Sequence, residues 1–154
     1  MKAFNFPLES LRTLRQQRER TAQQRYARAL VQCDEAERGW QRSEAELQTA
    51  HALFRSELAA GVAAGRLVQL RTWGTVLEIR RNQAAAAVTE ARRNVEDASR
   101  LMTAAARERE ALDRFHDKSQ HLWQRAFHAD EQKVYDELAV QRQAEANMEK
   151  SLLN

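Results

Sequence analysis

Residues 57–68 read ELAAGVAAGRLV, and the segment GVAAG at 61–65 decides how the chain folds. The 154 residues hold only four glycines and one proline, so the chain has few places to turn. Gly61 and Gly65 stand close together, and glycine tolerates the left-handed backbone that ends helices. The segment splits the chain into helix, short turn, helix. The spacing predicts a first helix over 7–60, a turn over 61–65 and a second helix over 66–148. Together they form one coiled-coil hairpin over 1–154. Pro7 suits the opening turn of the first helix, where its missing N–H costs nothing. Gly39 lies inside the first helix and Gly74 inside the second, where Gly74 marks a point of weakness or bending.

The composition agrees. Charged residues make up 31% of the chain and aromatic ones 6%. Ala, Glu, Arg, Gln and Leu dominate, all of them good helix formers, and such a mixture with helical periodicity belongs to coiled coils. A regular apolar stripe with three Trp and five Phe argues against disorder.

That stripe has a heptad in it. Tyr26, Cys33, Trp40, Leu47 and Phe54 recur every seven residues, and Ala22, Ala29, Ala36, Ser43 and Ala50 fill the alternate seam. The second helix carries Ala84, Ala91, Ala98 and Ala105 at the same interval, with Val88, Val95 and Met102 between them. Bulky knobs of the first helix are expected to face alanine holes of the second. A short turn makes the helices antiparallel neighbours. The fold class expected is all-α, a long antiparallel two-helix coiled coil with the second helix longer. With the turn centred near Ala63, Tyr26 falls opposite Arg100 and Leu8 opposite Lys118. Residues beyond Trp123 then have no partner from the first helix, an overhang of about 25 residues or roughly 35–40 Å. An unpaired, partly apolar helix is a binding element.

The net charge is +3, modest for a nucleic-acid binder. Its distribution is uneven. Residues 1–28 carry one Lys and six Arg against Glu9 and Glu19, whereas 130–150 carry six acids against Lys133, Arg142 and Lys150. Such asymmetry points to a charged partner or to mutual pairing. A single cysteine, Cys33, excludes an internal disulfide and fits a reducing compartment. No long apolar run follows Lys2, so no secretory signal is expected. No stretch is apolar enough to insert in a membrane. Enzyme signatures are missing: no glycine-rich phosphate loop, no CxxC, no HExxH. His116, His121 and His128 are spaced by five and seven, not by the four that lets two histidines grip one metal on a helix. No enzyme activity, cofactor or metal is expected.

Three groups of residues stand out from the coiled-coil background. The N-terminus packs Phe4, Phe6 and Leu8 around Pro7, followed by Leu11 and the arginines Arg12, Arg15 and Arg18. Near the turn, Leu67, Val68, Leu70, Trp73, Val76, Leu77 and Ile79 crowd more apolar surface than one seam needs, either a thicker hairpin tip or a second face for a partner. Beyond the reach of the first helix lie Tyr135, Leu138 and Val140 among Asp130, Glu131, Lys133, Asp136 and Glu137.

The stretch FNFPLESLRTLR at 4–15 resembles the opening of the flagellar export protein FliJ family, in which F-x-F-P-L leads into a Leu/Arg-rich helix. DEQKVYDELAVQR at 130–142 is similar to the family's C-terminal E-x-K-x-x-D-E-L pattern. The resemblance covers nearly the whole chain. It implies a non-enzymatic stalk of the flagellar type III export apparatus, cytoplasmic and peripheral at the inner membrane. Its paired terminal end would enter the hexameric export ATPase, FliI. It would also contact the export-gate protein FlhA, and some members escort export chaperones. On that footing the ATPase-contact candidates are Phe4, Phe6, Leu8, Leu11, Arg12, Arg15, Arg18, Asp130, Glu131, Lys133, Asp136 and Glu137. Phe4, Phe6 and Leu8 would pack on the second helix and stiffen that end. Phe54, Trp73, Val76 and Ile79 are the candidates for the gate contact. Three alternatives stay open: the equivalent stalk of a virulence injectisome, a basic coiled coil that binds nucleic acid, and a parallel homodimer of long helices.

Overall fold

The computed structural model describes residues 3–152, with side chains for 3–148. Two helices, α1 (Glu9–Ala59) and α2 (Ala64–Leu152), account for nearly all of it. Among the described residues there is no strand. The fold is all-α, a helical hairpin whose second helix, at 89 residues, is longer than the 51-residue first. The chain divides into two compact units. Gln16–Arg107 form the hairpin unit, and Met1–Arg15 with Glu108–Asn154 form the terminal unit.

The turn belongs to the hairpin unit and explains the hairpin. Gly61 has φ +73°. The Val62 N–H donates to the Glu57 carbonyl (3.3 Å) and the Gly61 N–H to the Leu58 carbonyl (3.2 Å). These two bonds close α1 as a Schellman motif, which caps carbonyls that the helix leaves unpaired and needs a left-handed residue at Gly61. The Ala63 carbonyl then accepts from Arg66 and Leu67 and starts α2. Gly65 lies in the first turn of α2, so the two glycines of GVAAG have different roles. Only Gly61 reverses the chain.

Cross-helix ion pairs in the hairpin unit fix the register. Glu37 meets Arg92 (2.9 Å), Glu44 meets Arg81 (3.7 Å) and His51 meets Glu78 (3.7 Å). Each pair is centred within about two residues of Ala63, as an antiparallel hairpin with a short turn requires. These pairs are exposed or half-exposed and contribute a few tenths of a kcal/mol each; their main consequence is alignment. The pairs Asp34–Arg38 (2.6 Å) and Glu96–Arg100 (3.9 Å) lie within single helices, as their i,i+4 spacing predicts.

The seam differs from the knobs-and-holes expectation. The buried residues are Ala22, Ala29, Leu47 and Ala50 on α1, and Leu70, Leu77, Val88, Ala91 and Ala98 on α2. Tyr26, Cys33, Trp40 and Phe54 are only half-buried. The register sets Ala29 against Ala98 and Ala36 against Ala91, small residues on both sides. Two helices meeting through alanine lie close, because interaxial distance follows the side chains at the contact. Of the larger residues in the first helix's series, only Leu47 is buried. Leu47, Ala50 and Leu77 form the one contiguous buried cluster among the described residues.

Candidate functional site

In the terminal unit, residues 3–6 form an arm without regular secondary structure, and Pro7 and Leu8 turn it into α1. The Glu9 N–H donates to the Phe6 carbonyl (3.2 Å) and the Arg12 N–H to the Leu8 carbonyl (2.9 Å). Helix α1 therefore begins two residues after the expected Pro7, with Glu9 where a carboxylate suits the positive end of the helix dipole.

The arm lies on α2. Phe6 is 5% exposed and sits edge-on to His116, ring centroids 4.9 Å apart, and 5.8 Å from Phe115. Phe4 also meets His116 edge-on (5.6 Å) and reaches Trp123 (5.9 Å), which stacks on Phe127 (5.2 Å). Such aromatic pairs add about 0.5–1.5 kcal/mol beyond the area they bury. Leu8 does not share this burial. It is 37% exposed, as is Leu11. The apolar plug is therefore Phe4 and Phe6.

The basic residues also separate. Arg12 donates from Nε to the Asp113 carboxylate (2.8 Å), whose other oxygen accepts from Arg109 (2.6 Å). The hydrogen bond from Arg12 holds the Asp113 carboxyl below its ordinary value, against the opposite pull of burial, and Arg109 adds to the effect. The same bond raises the Arg12 guanidinium pKa. Arg15 pairs with Glu108. Arg12 and Arg15 are thus engaged within the terminal unit. Arg18 belongs to the hairpin unit and is exposed. Farther along α2, Asp130 pairs with Lys133 and Glu131 with His128, both at 3.4 Å, and Asp136 and Glu137 are exposed.

At the tip of the hairpin unit the four gate candidates fall on different flanks. Phe54 lines an open groove with His51, Leu70, Gly74 and Glu78. Trp73 lines another groove with Leu53, Thr49 and Leu77. Trp73 is 48% exposed and carries the Arg80 guanidinium 5.5 Å from its ring centroid. Val76 and Ile79 on α2 are also exposed. Two residues of this flank, Arg80 and Leu53, are not among the candidates named from the sequence. Arg80 could have been found from its seven-residue spacing to Trp73. Leu53, also exposed, comes from α1 and joins only through the register.

No group of three or more His, Cys, Asp or Glu among the described residues is placed to hold a metal. No described helix is long and apolar enough to cross a membrane.

The family model for the flagellar FliJ protein matches residues 4–148, from the first arm phenylalanine to the last described side chain of α2. The chain belongs to the FliJ family. No curated protein and no solved structure matches it significantly. Membership makes it a component of the flagellar type III export apparatus, and FliJ proteins are non-catalytic parts of that apparatus. Both terminal motifs that suggested the resemblance lie inside the matched residues. In FliJ terms, the F-x-F-P-L opening is the arm on α2 and the D-E-L pattern is the exposed acidic stretch of α2.

Proposed function

We propose that this FliJ protein is a stalk that couples the hexameric export ATPase, FliI, to the export-gate protein, FlhA. The observation that carries the reading is the clasped arm. Phe6 is buried against Phe115 and His116, and Arg12, Asp113 and Arg109 form a charge-paired brace one turn away. A terminal end that is ordered before it meets a ring loses little entropy on entering it, so more of the contact energy appears as affinity. The charges offered to the ring are those the chain does not tie down tightly, namely Arg18, Asp136 and Glu137, with Asp130, Glu131 and Lys133 held only by weak exposed pairs. Leu8 and Leu11 add exposed apolar contact. Trp73, Val76 and Ile79, with Leu53, supply the gate contact, and Phe54 serves the other flank of the tip.

The test is the hydrolysis rate of the FliI ring with and without the protein. Wild-type stimulation, lost on Phe4→Ala with Phe6→Ala, supports the reading. An active hexamer indifferent to the wild-type protein overturns it. The gate assignment predicts that Trp73→Ala with Val76→Asp abolishes binding to FlhA while ATPase stimulation survives. Loss of both activities together, in a variant of normal helix content, overturns that division of labour.

A further inference from the structure

On α2, Leu112, His116, Trp123, Phe127, Val134 and Leu138 follow one another at intervals of four and seven residues. An 11-residue period is close to the natural helix repeat and keeps one stripe on one face. The arm covers the first part of the stripe: Phe6 and Phe4 hold His116, and Phe4 holds Trp123, on which Phe127 stacks. The same stripe then runs on uncovered, with Val134 50% and Leu138 45% exposed. The stripe is therefore built to the same pattern where it has a partner and where it has none.

The border of the uncovered part has a sign. Between 130 and 148 there are five acids, Asp130, Glu131, Asp136, Glu137 and Glu145, against Lys133 and Arg142. At 3.6 residues per turn, Asp130, Glu131 and Glu137 border the stripe, Glu145 falls on its line one 11-residue step beyond Val134, and of the two cations Arg142 lies beside Leu138 while Lys133 lies farther round. Three bordering acids against the single bordering cation, Arg142, favour a partner helix with cations in the matching positions. They oppose a parallel second copy of the same stretch, since its acids would meet their own kind, and an antiparallel copy would gain only the pairing of Asp130 with Arg142. Nucleic acid and anionic lipid are repelled for the same reason.

We propose that the stretch of α2 around Val134 and Leu138 is a docking seam for an amphipathic helix of another protein whose apolar edge is bordered by Lys and Arg. The helix would continue along α2 from where the arm ends. The inference stands on α2 alone and needs no ATPase, so its failure and that of the stalk reading are separate results.

The probes are two synthetic helical peptides with the same Leu/Ile seam, one with Lys at the bordering positions and one with Glu. Their binding to the full chain is read by fluorescence anisotropy. The Lys peptide is expected to bind at least about tenfold more tightly, a modest sum of several exposed charge pairs. Val134→Asp with Leu138→Asp should abolish binding without changing helix content, because both side chains are exposed. Glu131→Lys with Glu137→Lys should turn the preference toward the Glu peptide. Equal binding of the two peptides overturns the proposal, as does binding that survives the double Asp variant. Self-association of the free chain that the same variant removes would assign the seam to a second copy instead, and overturns it too.

Discussion

Phe6→Ala tests the arm most directly. A phenylalanine side chain buries about 150–250 Å², and Phe6 is 5% exposed in its place against Phe115 and His116. At about 25 cal/mol per Å² full burial contributes roughly 4–6 kcal/mol, an upper value because the undocked arm keeps some contacts. Alanine retains part of that area. The site can also close, since one of its walls is the arm itself, so the loss should fall below the ~3–5 kcal/mol of an enclosed core. The expected cost to arm docking is about 2–3 kcal/mol, roughly 30- to 150-fold in the equilibrium. Hydrogen exchange of the Glu9 and Arg12 amides, which are bonded to the Phe6 and Leu8 carbonyls, reads the undocking. Trp123 fluorescence in a Trp40→Phe, Trp73→Phe background gives a second readout, because Phe4 lies 5.9 Å from that ring. Leu8→Ala is the control, and at 37% exposure it should cost under about 1 kcal/mol. Equal effects of Phe6→Ala and Leu8→Ala would show that the arm is not held by Phe6, and the argument for a preorganised end would fall with it.

Three further outcomes are expected. Leu77→Ala, at the 2%-exposed centre of the Leu47–Ala50–Leu77 cluster, should lower stability to urea by about 2–4 kcal/mol, while Ile79→Ala at 52% exposure should change it by less than about 1 kcal/mol. Gly61→Ala should destabilise by roughly 1 kcal/mol because its φ of +73° disfavours a side chain, whereas Gly65→Ala, inside α2 with open space around it, should stabilise by up to about 1 kcal/mol; thermal melts separate the two. Asp113 should titrate by NMR below its ordinary 3.8, because the Arg12 hydrogen bond favours its charged form. A carboxyl whose folded pKa is depressed contributes stability above its unfolded pKa and loses it as pH falls through the folded one. The advantage of the wild type over Asp113→Asn should therefore be full at neutral pH and shrink on acidification below about pH 4. A midpoint at or above 3.8 would show that Arg12 does not hold the carboxylate.

The gate and ATPase candidates were legible as residue types but not as surfaces. Phe54 and Trp73 look alike in sequence, two aromatics near a turn. The structure sends them to different grooves, because each helix turns its residues through 100° per step and the flank they reach depends on the seam. Arg12, Arg15 and Arg18 look like one basic face. Two of them meet acids on α2 that lie more than ninety positions away along the chain, pairs that no local pattern could reveal.

The sequence did settle the class of fold. Helix-forming composition, a seven-residue apolar period and one glycine-marked break leave an antiparallel helical hairpin as the economical solution, and local backbone preference acts without reference to distant residues. The position of the turn also set the register, since a short turn leaves little freedom in what faces what. Two things depended on packing. Which seam residues were buried was settled where the two helices meet: alanines and Leu47 are buried there, whereas Tyr26, Trp40 and Phe54 are only half-buried. Which charges were already neutralised was settled by the ion pairs that α1 makes with Asp113 and Glu108 of α2. Burial and charge pairing are properties of two surfaces in contact, and a periodicity describes only one of them.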